Sequence, residues 1–436
     1  MHLELGIGLF VAMLALIVAR MPIAISMLFT GMIGFASLTS WDAMFNYMKD
    51  QPFSRAANYS LSVIPLFVLM GLFATHSGIS EAAYRAARAW LGHLRGGLAI
   101  ATIGACAAFG AICGSAIATG ATMTTAALPE MRRYGYAGSF STGTLAVGGT
   151  LGILIPPSVI LVIVGLITEL SIGDLFVAAF IPGLIAAFGY MIAIAIYVRL
   201  RPDAGPAATP ESWSVRIRSL NAVWPVIVIF AVVIGGIYQG IFTPTEGAAV
   251  GTVATALLAL AIGGLGVRAI RDSLLEMAKI SGMIFLILIS AEVYSGFLAL
   301  SQIPQELANW IGGLGLGPYT VLLGIILIYI LLGAVMDEIG MILLTVPVFY
   351  PLVMSLDFGM NPTAQGIWFG ILLLNVVEIG LILPPIGLNV FVINAMAKDV
   401  PLMETYKGIV PFFLSDLVRI GIIVAFPATC TWLPGL

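Results

Sequence analysis

Of 436 residues, 60% are apolar and only 9% charged, against about 25% charged in ordinary soluble proteins, which excludes a water-soluble fold. A formal net charge of −3 leaves no electrostatic footprint for nucleic acid. Cys106, Cys113, Cys430 and three histidines support neither a disulfide framework nor a zinc site.

The first twenty residues, MHLELGIGLFVAMLALIVAR, lack a basic leader and run straight into a second apolar stretch, which predicts a retained span rather than a cleaved signal. Apolar runs then follow in chain order near residues 3–19, 21–40, 60–77, 98–130, 138–168, 172–198, 221–242, 245–265, 280–300, 316–356, 362–397 and 409–428. Most are long enough for a membrane helix. The expected class is therefore an all-α polytopic membrane protein. The run 98–130 is rich in Gly, Ala, Ser and Thr and has Arg95 at one end and Arg132 and Arg133 at the other. A crossing would put these arginines on opposite sides, against the positive-inside bias, so a re-entrant hairpin entering from the cytoplasm is predicted.

A second hairpin at 316–356, entering from the periplasm, leaves about ten spans and puts both termini outside. Fifteen of the 18 Lys and Arg residues then fall on the cytoplasmic side, with Lys49 and Arg55 outside and Arg419 inside the last span. The segments divide as 1–59 (scaffold spans), 60–200 (first repeat), 201–220 (cytoplasmic linker), 221–279 (scaffold spans and connector) and 280–436 (second repeat). Stretches 79–96 and 302–313 read as helices lying along the membrane surface beside each hairpin. Trp310, Tyr319, Phe349, Tyr350 and Trp368 read as interfacial anchors. No phosphate-binding loop occurs, so ATP would need another chain.

GTLGILIPPS (149–158) has a partner in VEIGLILPPIG (377–387); superposing Pro156 and Pro157 on Pro384 and Pro385 also superposes Gly152 on Gly380. Each follows a hairpin candidate, GAICGSAIATGATM (110–123) or GAVMDEIGM (333–341). The third span and its counterpart, the eighth, are five apart in the order of spans, so the halves have opposite orientation. Such an inverted-topology repeat is common in secondary transporters. A Pro-Pro pair frees backbone carbonyls that hydrocarbon cannot satisfy, tolerable where the backbone lines a cavity or binds a ligand.

At the first tip, Gly114, Ser115 and Thr119 suit either a hard monovalent cation or small-residue packing. At the second, Asp337 and Glu338 are ionisable groups in an apolar setting, and Asp337 points to function. Glu292 and Glu378 also lie in membrane runs, where each either functions or bonds a neighbouring helix. A protease would need a paired catalytic group, and Asp337 has no evident aspartate partner in another span. The inverted broken helices favour alternating access over a channel.

At these residues the chain resembles, along essentially its whole length, the large permease subunit of tripartite ATP-independent periplasmic (TRAP) transporters. The matching stretches are CGSAIATGAT, PEMRRYGY, GTLGILIPPS, IFTPTEGAAVG (241–251) and EIGLILPPIGLNVFV (378–392). The resemblance implies an elevator-type, sodium-coupled importer of small organic anions in a bacterial inner membrane. It also implies a periplasmic substrate-binding protein and a small membrane subunit as partners. Because the chain begins at its first large-subunit span, the small subunit is expected as a separate chain. Carried onto this sequence, one implied sodium site comprises Gly114, Ser115, Gly152, Ile155 and Pro157, to which Thr119 is added from its place at the tip. The other comprises Gly333, Gly380, Leu383 and Ile386, with Asp337 added likewise. The family usually has Thr where this chain has Leu383, leaving only a carbonyl there. Substrate is expected near Ser115, Pro156, Asp337 and Pro384. The alternative is a sodium/dicarboxylate symporter of similar architecture that needs no binding protein.

Overall fold

The computed structural model describes residues 2–221 and 223–436, without the side chains of residues 2, 3, 52, 55, 56, 308 and 312. Among the described residues the chain is all-α. The first half runs α1 (His2–Val18), α2 (Ile23–Leu38), α3 (Trp41–Ala56), α4 (Val63–His76), α5 (Ile79–Leu91), α6 (Gly97–Cys113), α7 (Ala116–Arg133), α8 (Gly138–Leu154), α9 (Val159–Thr168) and α10 (Ile172–Leu200). The second runs α11 (Trp213–Leu220), α12 (Trp224–Tyr238), α13 (Pro244–Ile262), α14 (Val267–Ser301), α15 (Ile303–Gly313), α16 (Pro318–Gly333), α17 (Glu338–Met354), α18 (Pro362–Gly380), α19 (Leu388–Met396), α20 (Leu402–Ala425) and α21 (Ala428–Thr431).

Among the described residues, seven helical stretches, Tyr59–His76 with α4 among them, are long and apolar enough to cross a membrane, and α8 with α9, bent by 44° at their junction, make an eighth. The chain is thus a multi-pass membrane protein. Of the ten stretches read as spans, the other two are α1 and α2, whose 17 and 16 residues are shorter. Helix α3 is a polar helix carrying Asp42, Lys49 and Asp50 that periodicity within 1–59 did not single out. At about 1.5 Å per residue the 35 residues of α14 reach about 52 Å, beyond a hydrocarbon layer of about 30 Å. Its first turns, with Arg268, Arg271, Asp272, Glu276 and Lys279, supply the polar overhang.

Two helices form the centre. Every residue of α8 from Phe140 to Leu154 and every residue of α18 from Ala364 to Gly380 is buried. Around them pack α6, α7, α10, α16, α17, α19 and α20, while α4 with α13 and α2 with α14 form flanking pairs. The chain turns sharply between α6 and α7: Gly114 closes α6 at φ +63°, and Ser115 caps α7 by accepting a hydrogen bond from Ala118 N at 3.3 Å. A left-handed cap suits glycine, which has no Cβ to clash. Asp337 starts α17 similarly, accepting from Gly340 N at 2.9 Å.

Residues 199–220, read from sequence as a linker, are stitched to the rest of the chain: Gly96 N donates to Gly205 O, Ala137 N to Ala204 O and Ala208 N to Gly92 O, at 2.9–3.0 Å. Arg88 adds charge there, reaching Glu130 at 2.6 Å and Glu211 at 2.8 Å. One sequence expectation is corrected: Trp368 is not an interfacial anchor; it is fully buried and donates its indole N–H to Ile423 O at 2.9 Å. Trp310 and Tyr319 do stay exposed. A further aspartate in a membrane run, Asp416, is buried in α20, where it lies against Arg419 and not Asp337. Between α7 and α8, burial pushes the Tyr136 phenol up to about 12, so it stays neutral and accepts from Leu98 N at 3.1 Å.

Candidate functional site

The first broken helix and the first hairpin meet through backbone. A Cβ built on Gly110 would lie 2.7 Å from Gly152 Cα, and one on Gly114 would lie 3.0 Å from Pro157 O. One on Gly152 would lie 2.5 Å from Thr119 Oγ1 and 2.6 Å from Ser115 O. Five of the residues read from sequence, Gly114, Ser115, Thr119, Gly152 and Pro157, therefore converge, and Ile155 sits in the same break at the C-cap of α8. Pro156 and Pro157 are joined by a cis peptide, as are Pro384 and Pro385.

The hydroxyls of Thr119 and Ser158 are buried there without a hydrogen-bond partner among the described residues. Buried polar atoms are nearly always satisfied, so these two hydroxyls, with the Ser115 carbonyl beside Thr119 and only the Cys113 thiol as a weak partner, suit a small cation. Ser158 escaped the sequence reading, although its place directly after Pro157 was the available signal.

The second break is built alike but filled differently. A Cβ on Gly333 would lie 2.9 Å from Gly380 Cα. The loop is stapled to its hairpin by Ile386 N donating to Ala334 O at 3.3 Å. The Ile386 carbonyl already accepts from the Tyr406 hydroxyl at 3.0 Å, and Leu383 supplies no hydroxyl. Pro384, Pro385 and Ile386 are exposed, whereas Pro156 and Pro157 are buried.

Between the two hairpin tips lies a cavity of about 110 Å³. Cys113, Gly114, Ser115 and Ala118 line it from the first tip, Glu338 and Ile339 from the second, and Gly71 and Ile284 from α4 and α14. Ser115 thus reaches the cavity as expected. Asp337 is occupied capping α17, and the acid that faces the first tip is its neighbour Glu338. No Lys or Arg lines this space. Glu292 lies apart, in a second cavity of about 270 Å³ with Asn58, Ser295 and Tyr350.

Sequence reasoning did not foresee a buried ionic cluster behind the breaks. Arg419 Nη2 contacts Glu378 Oε2 at 2.7 Å and lies 3.1 Å from Asp416 Oδ1. Glu378 Oε1 accepts from Tyr190 OH at 3.1 Å and also from the Thr150 hydroxyl. The signal was there: opposite charges in two apolar runs, which in a membrane find each other.

The fold is that of a multi-pass membrane protein in which the first backbone break and the two hairpin tips border one cavity. A family model, "Tripartite ATP-independent periplasmic transporter, DctM component", matches residues 10–429, and the chain belongs to that family. It is 38% identical over 385 residues to the C4-dicarboxylate TRAP transporter large permease protein DctM of Pseudomonas aeruginosa, with 88% of each chain covered. It is 31% identical over 435 residues to the ectoine/5-hydroxyectoine TRAP transporter large permease protein UehC of Ruegeria pomeroyi, with 98% of each covered. It is 29% identical over 432 residues to the sialic acid TRAP transporter large permease protein SiaM of Vibrio cholerae, covering 99% of this chain and 98% of that one.

The YdaH transporter of Alcanivorax borkumensis shares the fold, with a TM-score of 0.61 at 13% identity and 89% of each chain covered. MtrF of Neisseria gonorrhoeae gives a TM-score of 0.50 at 15% identity, covering 88% of this chain and 84% of that one. As a large permease of the inner membrane, the chain works with a small membrane subunit and a periplasmic substrate-binding protein.

Proposed function

We propose that this permease imports a small organic acid, a carboxylate such as a C4-dicarboxylate, keto acid or sugar acid, together with sodium. The observation that carries the reading is the closeness of Thr119 Oγ1 and Ser115 O to Gly152 at the first break, with the buried Ser158 hydroxyl directly after Pro157 lacking a hydrogen-bond partner among the described residues. Sodium is a coupling ion here, carried with the substrate. The substrate class follows the relatives named for C4-dicarboxylates, ectoine and sialic acid.

Helices α6–α7 and α16–α17 are the re-entrant hairpins of an inverted repeat, with ten spans and both termini periplasmic. The body built on α8 and α18 moves as an elevator along α4, α13, α2 and α14. An anion is held without lysine or arginine because the N-termini of α7 and α17 carry partial positive charge and bound sodium adds a full one. Without sodium, Glu338 repels the anion from the cavity, which couples the two electrostatically.

The test is reconstitution of the chain in proteoliposomes with its small subunit and binding protein. Uptake should require external sodium, stop when potassium replaces it, and saturate with binding-protein concentration. Full uptake under a proton gradient alone would reject the sodium reading. Robust uptake by this chain alone, unaffected by the binding protein, would mark it as a symporter independent of that protein.

A further inference from the structure

Thr150 and Glu378 hold the same place in the two halves. The offset of 228 that lays Pro384 on Pro156 and Gly380 on Gly152 also lays Glu378 on Thr150. The fold brings these equivalents into contact: the Thr150 hydroxyl donates to Glu378 Oε1, and both side chains are fully buried. Each stands two residues before the glycine that meets a hairpin, Gly152 against Gly110 and Gly380 against Gly333. The other carboxylate oxygen, Oε2, is held from α20 by Arg419.

We propose that Glu378 is a positioning residue that ties the two backbone breaks together, making cation binding at one break favour binding at the other. This rests on the sodium reading above. Gly152 is about 3 Å along α8 from Thr150, and its backbone bounds the space that Thr119 Oγ1 and Ser115 O occupy. A shift of α8 when that space fills is passed through the Thr150–Glu378 bond to α18 and so to the Gly380–Gly333 contact. The coupling is reciprocal, as binding linkage requires. A purely supporting ionic cluster makes a different prediction, because Arg419 and Tyr190 keep Glu378 bonded whether or not Thr150 carries a hydroxyl.

The experiment is equilibrium binding of radioactive sodium to the purified complex of this chain with its small subunit. Wild type should bind with a Hill coefficient clearly above 1. Thr150→Val, which keeps shape and deletes the hydroxyl, should bring it to about 1 and raise half-saturation about threefold, with Thr150→Ser restoring both. If Thr150→Val does not elute as folded complex, Thr150→Ala carries the same test. A wild-type Hill coefficient of about 1, or one unchanged in the hydroxyl-free variant, overturns the proposal alone. Absence of saturable sodium binding in wild type rejects the sodium reading and this inference with it.

Discussion

Replacing Arg419 with Met removes the one cation from a buried cluster that also holds Glu378 and Asp416, all three at most 2% exposed. Two carboxylates then remain in the interior with no counter-charge. Breaking a buried pair by deleting one partner costs about 3–5 kcal/mol, a large part of the roughly 5–15 kcal/mol that holds a typical fold together. Asp416→Asn should cost far less, about 1 kcal/mol, since it leaves the Glu378–Arg419 pair at 2.7 Å balanced and the Asp416 oxygens make no aligned hydrogen bond. Glu378→Gln should fall between, because the amide oxygen still accepts from Thr150 and Tyr190 while the ion pair is lost. Combining Asp416→Asn and Glu378→Gln with Arg419→Met should recover most of the single Arg419 loss, since no uncompensated charge is left. The assay is thermal unfolding of the purified protein in nanodiscs at one fixed scan rate. Arg419→Met unfolding no earlier than Asp416→Asn would refute the charge balance assigned to this cluster.

Gly152→Ala should destabilise the protein by about 1–3 kcal/mol and abolish sodium-dependent thermal stabilisation, because the new Cβ would lie 2.6 Å from Ser115 O, a backbone atom. Gly104→Ala is the control: its Cβ would meet only Met191 Cε at 3.6 Å, and both stability and the sodium effect should survive. At the contact between α4 and the first hairpin, a Cβ on Gly71 would lie 2.4 Å from Cys113 O. Gly71→Val should therefore cut reconstituted uptake at least tenfold while the complex still assembles, and wild-type uptake by that variant would contradict sliding at this contact. Arg88→Ala should cost about 1 kcal/mol by releasing both Glu130 and Glu211. Proteolytic cleavage within residues 205–212 should quicken, and high salt should narrow the difference from wild type.

What the sequence could reveal followed from local rules. A Pro-Pro pair inside an apolar run cannot continue a helix, so both breaks were visible, and clustered arginines placed the α6–α7 pair between Arg95 and Arg133. The superposition of Gly152 on Gly380 was legible too, but that each meets a hairpin glycine, Gly110 or Gly333, was not. The rest depends on which helix faces which. Trp368 looks like an interfacial residue by type, and only packing against α20 shows its indole bonded to Ile423 O. Arg419, Asp416 and Glu378 are 38 and 41 residues apart along the chain, so their charges cancel only once α18 and α20 lie side by side. The choice between Asp337 and Glu338 turned on a single capping bond to Gly340 N, which local propensity hinted at but could not separate from a cavity-facing role.

The two breaks share a pattern yet differ in how many oxygens stay free, and that difference sets an order of affinity. At the first, Thr119 and Ser158 keep hydroxyls without partners, and Pro156 and Pro157 are shielded from solvent. At the second, Ile386 donates its N–H to Ala334 O and its carbonyl already accepts from Tyr406, while the loop itself is exposed. A cation at the first break gains ligands that nothing else satisfies, whereas one at the second competes with a bond already made and with water. On the sodium reading, the first break should bind more tightly. Leu383→Thr restores a hydroxyl at the second break, and Tyr406→Phe frees the Ile386 carbonyl. Each should lower the sodium concentration for half-saturation, and the pair together should lower it further, while Thr119→Val, weakening the first break about tenfold, roughly 1.4 kcal/mol, should raise it. Radioactive-sodium binding to the purified complex reads this half-saturation, and a Leu383→Thr isotherm identical to wild type would show that a missing hydroxyl at residue 383 does not limit the second site.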